Sequence, residues 1–253
     1  MSLDVMPLDF ALIWAATASL IAGITRGFSG FGGALIFVPL VSAAFGPEVA
    51  VPALLIVDTA MTAPIVTRAL PRCTWGEVAP LGIGAVLTVP LGVALLKQMD
   101  PTTLRWCLSG LALALLALLV SGWRHSGQVR WWGSLVVGAA AGVFGGAAQM
   151  SGPVVVAYWL GSRHNATQVR LNLFGFFFIA TLASALAYAL GGLFTWQVLK
   201  LSLLLGPLYA AGLWLGSHAF ARASDRHYRI AAYVVIGAAA FGSLPLFDAL
   251  LRH

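Results

Sequence analysis

Residues 26–33 read Arg26-Gly27-Phe28-Ser29-Gly30-Phe31-Gly32-Gly33, with Pro39 further on, and residues 142–153 read Gly142-Val143-Phe144-Gly145-Gly146-Ala147-Ala148-Gln149-Met150-Ser151-Gly152-Pro153. Each stretch interrupts an apolar run. A helix needs about 20 apolar residues to cross a bilayer, and irregular backbone survives at membrane depth only where protein or a watery cavity covers it. The runs beside the two breaks, 8–24 with 31–45 and 131–147 with 152–161, are shorter than that. Each pair reads as two short crossings or as a hairpin that dips in and returns. Both options leave the chain on the side where it began.

Around these breaks lie six longer apolar runs, near 49–69, 76–96, 103–121, 168–190, 195–217 and 228–250. The composition agrees. Of 253 residues, 60% are hydrophobic and 9% charged, with a mean hydropathy of +0.93. A soluble domain carries about 25% charged residues to face water. A soluble enzyme, a nucleic-acid-binding domain and a disordered chain are therefore excluded. The expected fold class is all-α, a polytopic membrane protein of 8–10 spans. The net charge of +6 follows from basic cytoplasmic loops and implies no nucleic-acid partner. The partners expected are a lipid bilayer and a small anionic substrate, with protons as a coupling ion; a homo-oligomer is left open.

The parity of the spans makes orientation testable. Arg26, Arg68, Arg72, Arg124, Arg130, Arg163, Arg170, Arg222, Arg226 and Arg229 fall on one side. Lys97, Arg105, Lys200 and Arg252 fall on the other, which accounts for all fourteen basic residues. Cytoplasmic loops collect Lys and Arg. The ten-residue side is thus expected in the cytoplasm, with both termini outside, in a bacterial inner membrane. The opening MSLDVMPLDF has no basic n-region, so the first run is expected to remain in the mature protein. Trp75, Trp106, Trp131, Trp132 and Trp196 near span ends form an aromatic belt.

The two halves resemble each other. Thr74-Trp75 returns as Thr195-Trp196, 121 positions later. Leu91-Gly92 returns as Leu215-Gly216, and Arg105 as Arg229, both 124 later. Ala22-Gly23 through Gly33 returns as Ala141-Gly142 through Gly152, 119 later. The expected organisation is a first membrane repeat over 1–122 and a second over 123–253, in one integrated transmembrane domain. Each half holds one glycine-broken pair, which returns the chain, and three crossings, which do not. The second half therefore starts on the opposite face, an inverted-topology repeat. In secondary transporters of that plan the binding site lies near the midplane, where broken helices meet.

Helix N-termini expose unpaired N–H groups and a positive dipole end, which favour an anion. Two such termini facing one another would make an anion site without a dedicated lysine. The candidate substrate-binding residues are Gly27, Ser29, Gly30, Gly32 and Gly33 in the first break, and Gln149, Met150, Ser151 and Gly152 in the second. The competing reading is that these glycines only let helices pack closely. Asp58, the acid nearest the centre of an apolar span, is the candidate for proton coupling, against a role as a hydrogen-bonded packing residue. Arg26, Arg170 and Asn172 are candidates along the pathway, with Arg170 weighed against a role as an interfacial anchor.

Gly27-Phe28-Ser29-Gly30 also spells G-x-S-G, the serine motif of rhomboid intramembrane proteases. That chemistry needs a histidine as base, and no histidine occupies the middle of a span. A non-transporting membrane scaffold is the other alternative. Cys73 and Cys107 resemble neither a metal site nor a disulfide framework, and no cofactor or metal is expected.

The segment Gly27–Gly33 with Val38-Pro39-Leu40, the duplication and the Thr-Trp before the later helix of each half resemble the TauE/SafE sulfite exporter family, also called the toluene sulfonate uptake permeases. The second break departs from the usual glycine cluster at Gln149, Met150 and Ser151. The resemblance implies a permease, not an enzyme. It would move small sulfur-containing anions such as sulfite, sulfonates or sulfoacetate by alternating access.

Overall fold

The computed structural model describes residues 8–122, 130–159 and 166–220, together with Val234, Gly237 and Phe241, which are helical. The described residues are helices and their connections, with no strand. In chain order they are α1 (Leu8–Ser29), α2 (Gly33–Phe45), α3 (Pro47–Ala69), a 3-10 turn (Leu70–Arg72), α4 (Trp75–Gln98), α5 (Pro101–Val120), α6 (Trp131–Ala148), α7 (Gly152–Trp159), α8 (Ala166–Leu190) and α9 (Trp196–Phe220). Among the described residues seven helices are long and apolar enough to cross a membrane: α1, α3, α4, α5, α6, α8 and α9. Most of the span expected at 228–250 lies outside the described residues.

The glycine-broken pairs are asymmetric. Their first helices outrun the apolar stretches read from the sequence, α1 with 22 residues and α6 with 18. Both are long enough to cross. Their second helices are short, 13 residues for α2 and 8 for α7. Hydropathy stops at Arg26, but the helix does not. Arg26 is buried, and its guanidinium donates back to the Gly30 carbonyl.

Sequence signals set the helix starts. The Thr195 hydroxyl accepts the Val198 N–H at 3.3 Å and opens α9. Asp100 Oδ2 accepts the N–H groups of Thr102 and Thr103, both at 3.0 Å, and opens α5 ahead of Pro101. An N-cap of this kind is worth about 1 kcal/mol. Asp100→Ala is expected to lower thermal stability by that amount, read as a shift of a few degrees in detergent; an unchanged melting temperature would remove the cap from the account. Large apolar side chains point outward along the spans, Leu87 at 70% exposure, Leu203 at 81% and Leu190 at 82%. In a bilayer these are lipid contacts.

The chain forms two compact units. The first comprises residues 1–57, 99–116 and 195–253; the second comprises 58–98 and 117–194. In the first, α1 and α9 run parallel at very close approach. A Cβ added at Gly27 would overlap the Leu213 carbonyl, one at Gly212 the Leu20 carbonyl, and one at Gly216 the Ile24 carbonyl. Ser19 Oγ also donates to the Leu205 carbonyl at 3.1 Å. Helix α2 folds back antiparallel to α1, with Trp14 Nε1 donating to the Leu40 carbonyl at 2.9 Å.

The second unit repeats this construction with α4 and α6. A Cβ at Gly92 would overlap the Val143 carbonyl, and one at Gly146 the Val89 carbonyl. Thr88 Oγ1 donates to the Ala139 carbonyl at 2.6 Å. Helix α8 lies parallel to α4, with Lys97 Nζ donating to the Gly191 carbonyl at 2.7 Å. Helix α7 folds back along α6, where Ser134 Oγ and Tyr158 Oη are 3.1 Å apart.

These contacts follow the offsets of the duplication. Gly23 and Gly27 of α1 correspond to Gly142 and Gly146 of α6; Thr88 and Gly92 of α4 correspond to Gly212 and Gly216 of α9. Helix one of each sequence half thus crosses helix four of the other half at equivalent small residues. Small residues four apart let membrane helices approach until dispersion contacts hold them. The compact units are therefore a different partition of the chain from the duplication.

Candidate functional site

Each unit contains one elbow. In the first unit, the Gly30 N–H donates to the Arg26 carbonyl at 2.9 Å, and Gly30 takes φ 75°. Gly32, the residue that caps α2, has φ 94° and ψ −12°. Both values lie in the left-handed region that favours glycine. The chain reverses here, and α2 begins at Gly33. A Cβ at Gly33 would lie 2.8 Å from Tyr209 Oη, so the buried tyrosine of α9 braces the elbow. Tyr209 also packs edge-on against Phe37 of α2. Gly27 faces Leu213 of α9 and contributes to the helix crossing. The side chains of Phe28 and Ser29 lie outside the described residues.

In the second unit, the Gln149 N–H donates to the Gly145 carbonyl at 2.9 Å and the Met150 N–H to the Phe144 carbonyl at 3.2 Å. Gln149 has φ 57°, the positive-φ residue other than glycine among those described. By the 119-residue offset, Gly30 corresponds to Gln149, Arg26 to Gly145 and Gly33 to Gly152. The left-handed cap, its backbone hydrogen bond and the start of the next helix therefore recur at equivalent positions.

Met150 is buried, and Ser151 is 5% exposed. Tyr188 of α8 is fully buried and braces this elbow, donating to the Gly146 carbonyl at 2.8 Å. Both α2 and α7 start with N–H groups that have no intrahelical acceptor, although Pro153 removes one donor from the first turn of α7.

The remaining candidates lie elsewhere. Asp58 is half-buried on α3, and its backbone carbonyl accepts the Thr62 hydroxyl at 2.7 Å. Arg170 is exposed, with its guanidinium 5.8 Å from the Phe174 ring centroid. Asn172 is fully buried. Its Oδ1 accepts the Thr74 N–H and Gln168 Nε2, both at 2.9 Å, and ties α8 to the start of α4. Asn172 and Tyr188 are separated by sixteen residues of α8, about 24 Å at helical rise. Neither Asn172 nor Arg170 is therefore brought to the elbow that Tyr188 touches.

In the same loop, Cys73 Sγ donates to the Leu171 carbonyl at 3.1 Å. Burial pushes this thiol above its ordinary range, partly offset by the Gly175 backbone hydrogen bond. His218 ends α9 exposed, with Nδ1 2.8 Å from the Trp214 carbonyl. Sequence reading missed both bracing tyrosines; an isolated tyrosine within an otherwise apolar span was the available signal.

A family model described as sulfite exporter TauE/SafE matches residues 15–242 of the chain. No curated protein and no solved structure gives a significant match.

Proposed function

The chain belongs to the sulfite exporter TauE/SafE family, whose members are membrane transporters and not enzymes, and from that premise we propose that it is a secondary transporter of a small sulfur-containing anion, such as sulfite or an organosulfonate, working by alternating access. The observation that carries the reading is the equivalent left-handed break at Gly30 and Gln149, each followed within three residues by a fresh helix N-terminus. Unpaired N–H groups at such a terminus favour a bound anion.

In this reading, backbone donors near Gly32 and Gly33, with Ser29, serve an anion at the first elbow, and donors near Gly152, with the Ser151 hydroxyl, serve one at the second. Met150 closes the apolar side. Gly30 and Gln149 set the bends, and Gly27 lets the first elbow's helix seat against α9. Arg26 places positive charge at the first elbow, while Arg170 and Asn172 belong to the path rather than the site. The protein acts in the inner membrane of a bacterium, with its termini outside the cytoplasm.

The test is a thermal-shift screen of the purified protein against sulfite, sulfonates, thiosulfate, sulfate and carboxylates. Stabilisation by sulfur oxyanions in preference to carboxylates is expected, by RT ln(1 + [L]/Kd). A melting temperature indifferent to every anion would contradict the reading.

Asp58 is the group we propose for proton coupling. Asp58→Asn keeps the shape and removes the titration. Uptake of methanesulfonate, which brings no proton of its own, by this variant is expected to ignore an imposed pH gradient that drives the wild type. Gradient-driven uptake that survives the substitution would make Asp58 structural.

A further inference from the structure

At the matched position of the two elbows one half has glycine and the other glutamine. A left-handed conformation costs a side chain about 1–2 kcal/mol that glycine avoids, so Gln149 must return something. Its carboxamide is fixed on one edge. Nε2 donates to the Gly145 carbonyl at 3.0 Å and faces Tyr188 Oη at 3.0 Å. Tyr188 has one hydroxyl hydrogen, and the Gly146 carbonyl at 2.8 Å takes it. The tyrosine oxygen must then accept from Gln149. Turning the amide over would set two acceptors, Oε1 and the Gly145 carbonyl, against each other. Both amide hydrogens are consumed within the unit, and Oε1 has no hydrogen-bond partner among the described residues.

A second feature stands beside it. Ser151, 5% exposed, makes no side-chain hydrogen bond among the described residues, and a Cβ added at Gly145 would lie 3.7 Å from its Oγ. Gln149 Oε1 and Ser151 Oγ are not sealed off from solvent, so both remain open to a ligand at the elbow. The second elbow therefore combines donors, from the start of α7 and from Ser151, with one acceptor that the fold holds in place. A fully ionised anion has nothing to give that acceptor and would set oxygen lone pairs against it.

We propose that Gln149, oriented by Tyr188, selects anions that carry a proton of their own: monohydrogen oxyanions such as hydrogen sulfite, whose O–H donates to Gln149 Oε1 while the charged oxygens take the donors of α7 and Ser151. This inference rests on the transporter reading of the same site and names its substrate class. A proton then crosses on the substrate itself, separately from any carried by Asp58.

The test is equilibrium exchange in proteoliposomes of the full chain, with equal pH on both sides, scanned through the second ionisation of sulfite. Labelled sulfite is compared with methanesulfonate, which has the charge but no donor. For the wild type, exchange should fall about tenfold per pH unit above that ionisation, as the hydrogen-bearing form does, and methanesulfonate should be slower by about tenfold or more, the worth of a hydrogen bond to a charged group. Gln149→Gly keeps the left-handed backbone, as Gly30 does, and removes the acceptor. It should flatten the pH profile and bring the two anions to within about threefold. Tyr188→Phe, which frees an amide hydrogen, should shift both readouts the same way.

A wild type that exchanges sulfite, with both variants keeping its pH profile and its preference, overturns this inference and leaves the transporter reading standing. A wild type that exchanges no anion overturns both.

Discussion

Gly32→Leu is expected to abolish anion flux while leaving the protein inserted in the bilayer. Gly32 caps α2 at φ 94°, where a branched side chain costs of order 1–3 kcal/mol in backbone strain alone. Its carbonyl also accepts the Leu35 N–H at 3.1 Å, the first bond of α2. Displacing it moves the N–H groups proposed to hold the anion. Insertion depends on the apolar spans, which the substitution does not touch. Misplaced donors cost catalysts roughly a hundredfold for a 1 Å shift, and a comparable loss of flux is expected here. Gly32→Asn separates strain from bulk, because asparagine tolerates the left-handed region and should keep part of the flux. Wild-type transport by the leucine variant would remove the first elbow from the site.

The second large effect concerns the helix crossings. A Cβ at Gly216 would overlap the Ile24 carbonyl in the first unit, and one at Gly92 the Val143 carbonyl in the second. Backbone cannot swing away as a flexible side chain does, so the helices must part. Valine at either position should cost about 1–3 kcal/mol or more and lower the melting temperature in detergent by roughly 5 °C or more. The positions are equivalent in the duplication, so the losses should be of similar size. Gly110, beside which no atom lies within 4 Å of an added Cβ, is the control, and Gly110→Ala should not destabilise. Melting temperatures unmoved by valine at 92 and 216 would contradict the close crossings.

Much of this arrangement is legible in the amino acids. Glycine spacing reads directly because close helix approach admits no larger residue. The 119- and 124-residue offsets recovered from identical letters pair Gly27 with Gly146 and Gly92 with Gly216, and these are the residues at the two crossings. Thr-Trp marks the start of both α4 and α9, where an interfacial indole suits the helix end; the Thr195 hydroxyl caps α9, whereas at α4 the Thr74 backbone carbonyl takes the first N–H groups and its hydroxyl accepts from Gln168.

Other features do not read out so simply. Hydropathy ends α1 near Arg26, because it cannot anticipate a guanidinium folded back onto Gly30. Asn172 stands out as a polar residue in an apolar span, yet its carbonyl oxygen is spent on Thr74 and Gln168. Gln149 reads as a departure from glycine; its meaning depends on Tyr188, 39 positions away, which no local pattern connects to it. Small residues also carry two signals at once. Gly27 belongs to the glycine cluster by sequence and to the α1–α9 contact by position.

The central claim is that the chain carries a small sulfur-containing anion through the bilayer at its glycine elbows. Counterflow of labelled sulfite into proteoliposomes, wild type beside Gly32→Leu, tests it most directly. Saturable uptake that unlabelled sulfite competes away, and that the leucine variant lacks, is the predicted result. Uptake by the wild type no faster than into protein-free liposomes, or equal uptake by both proteins, would contradict it.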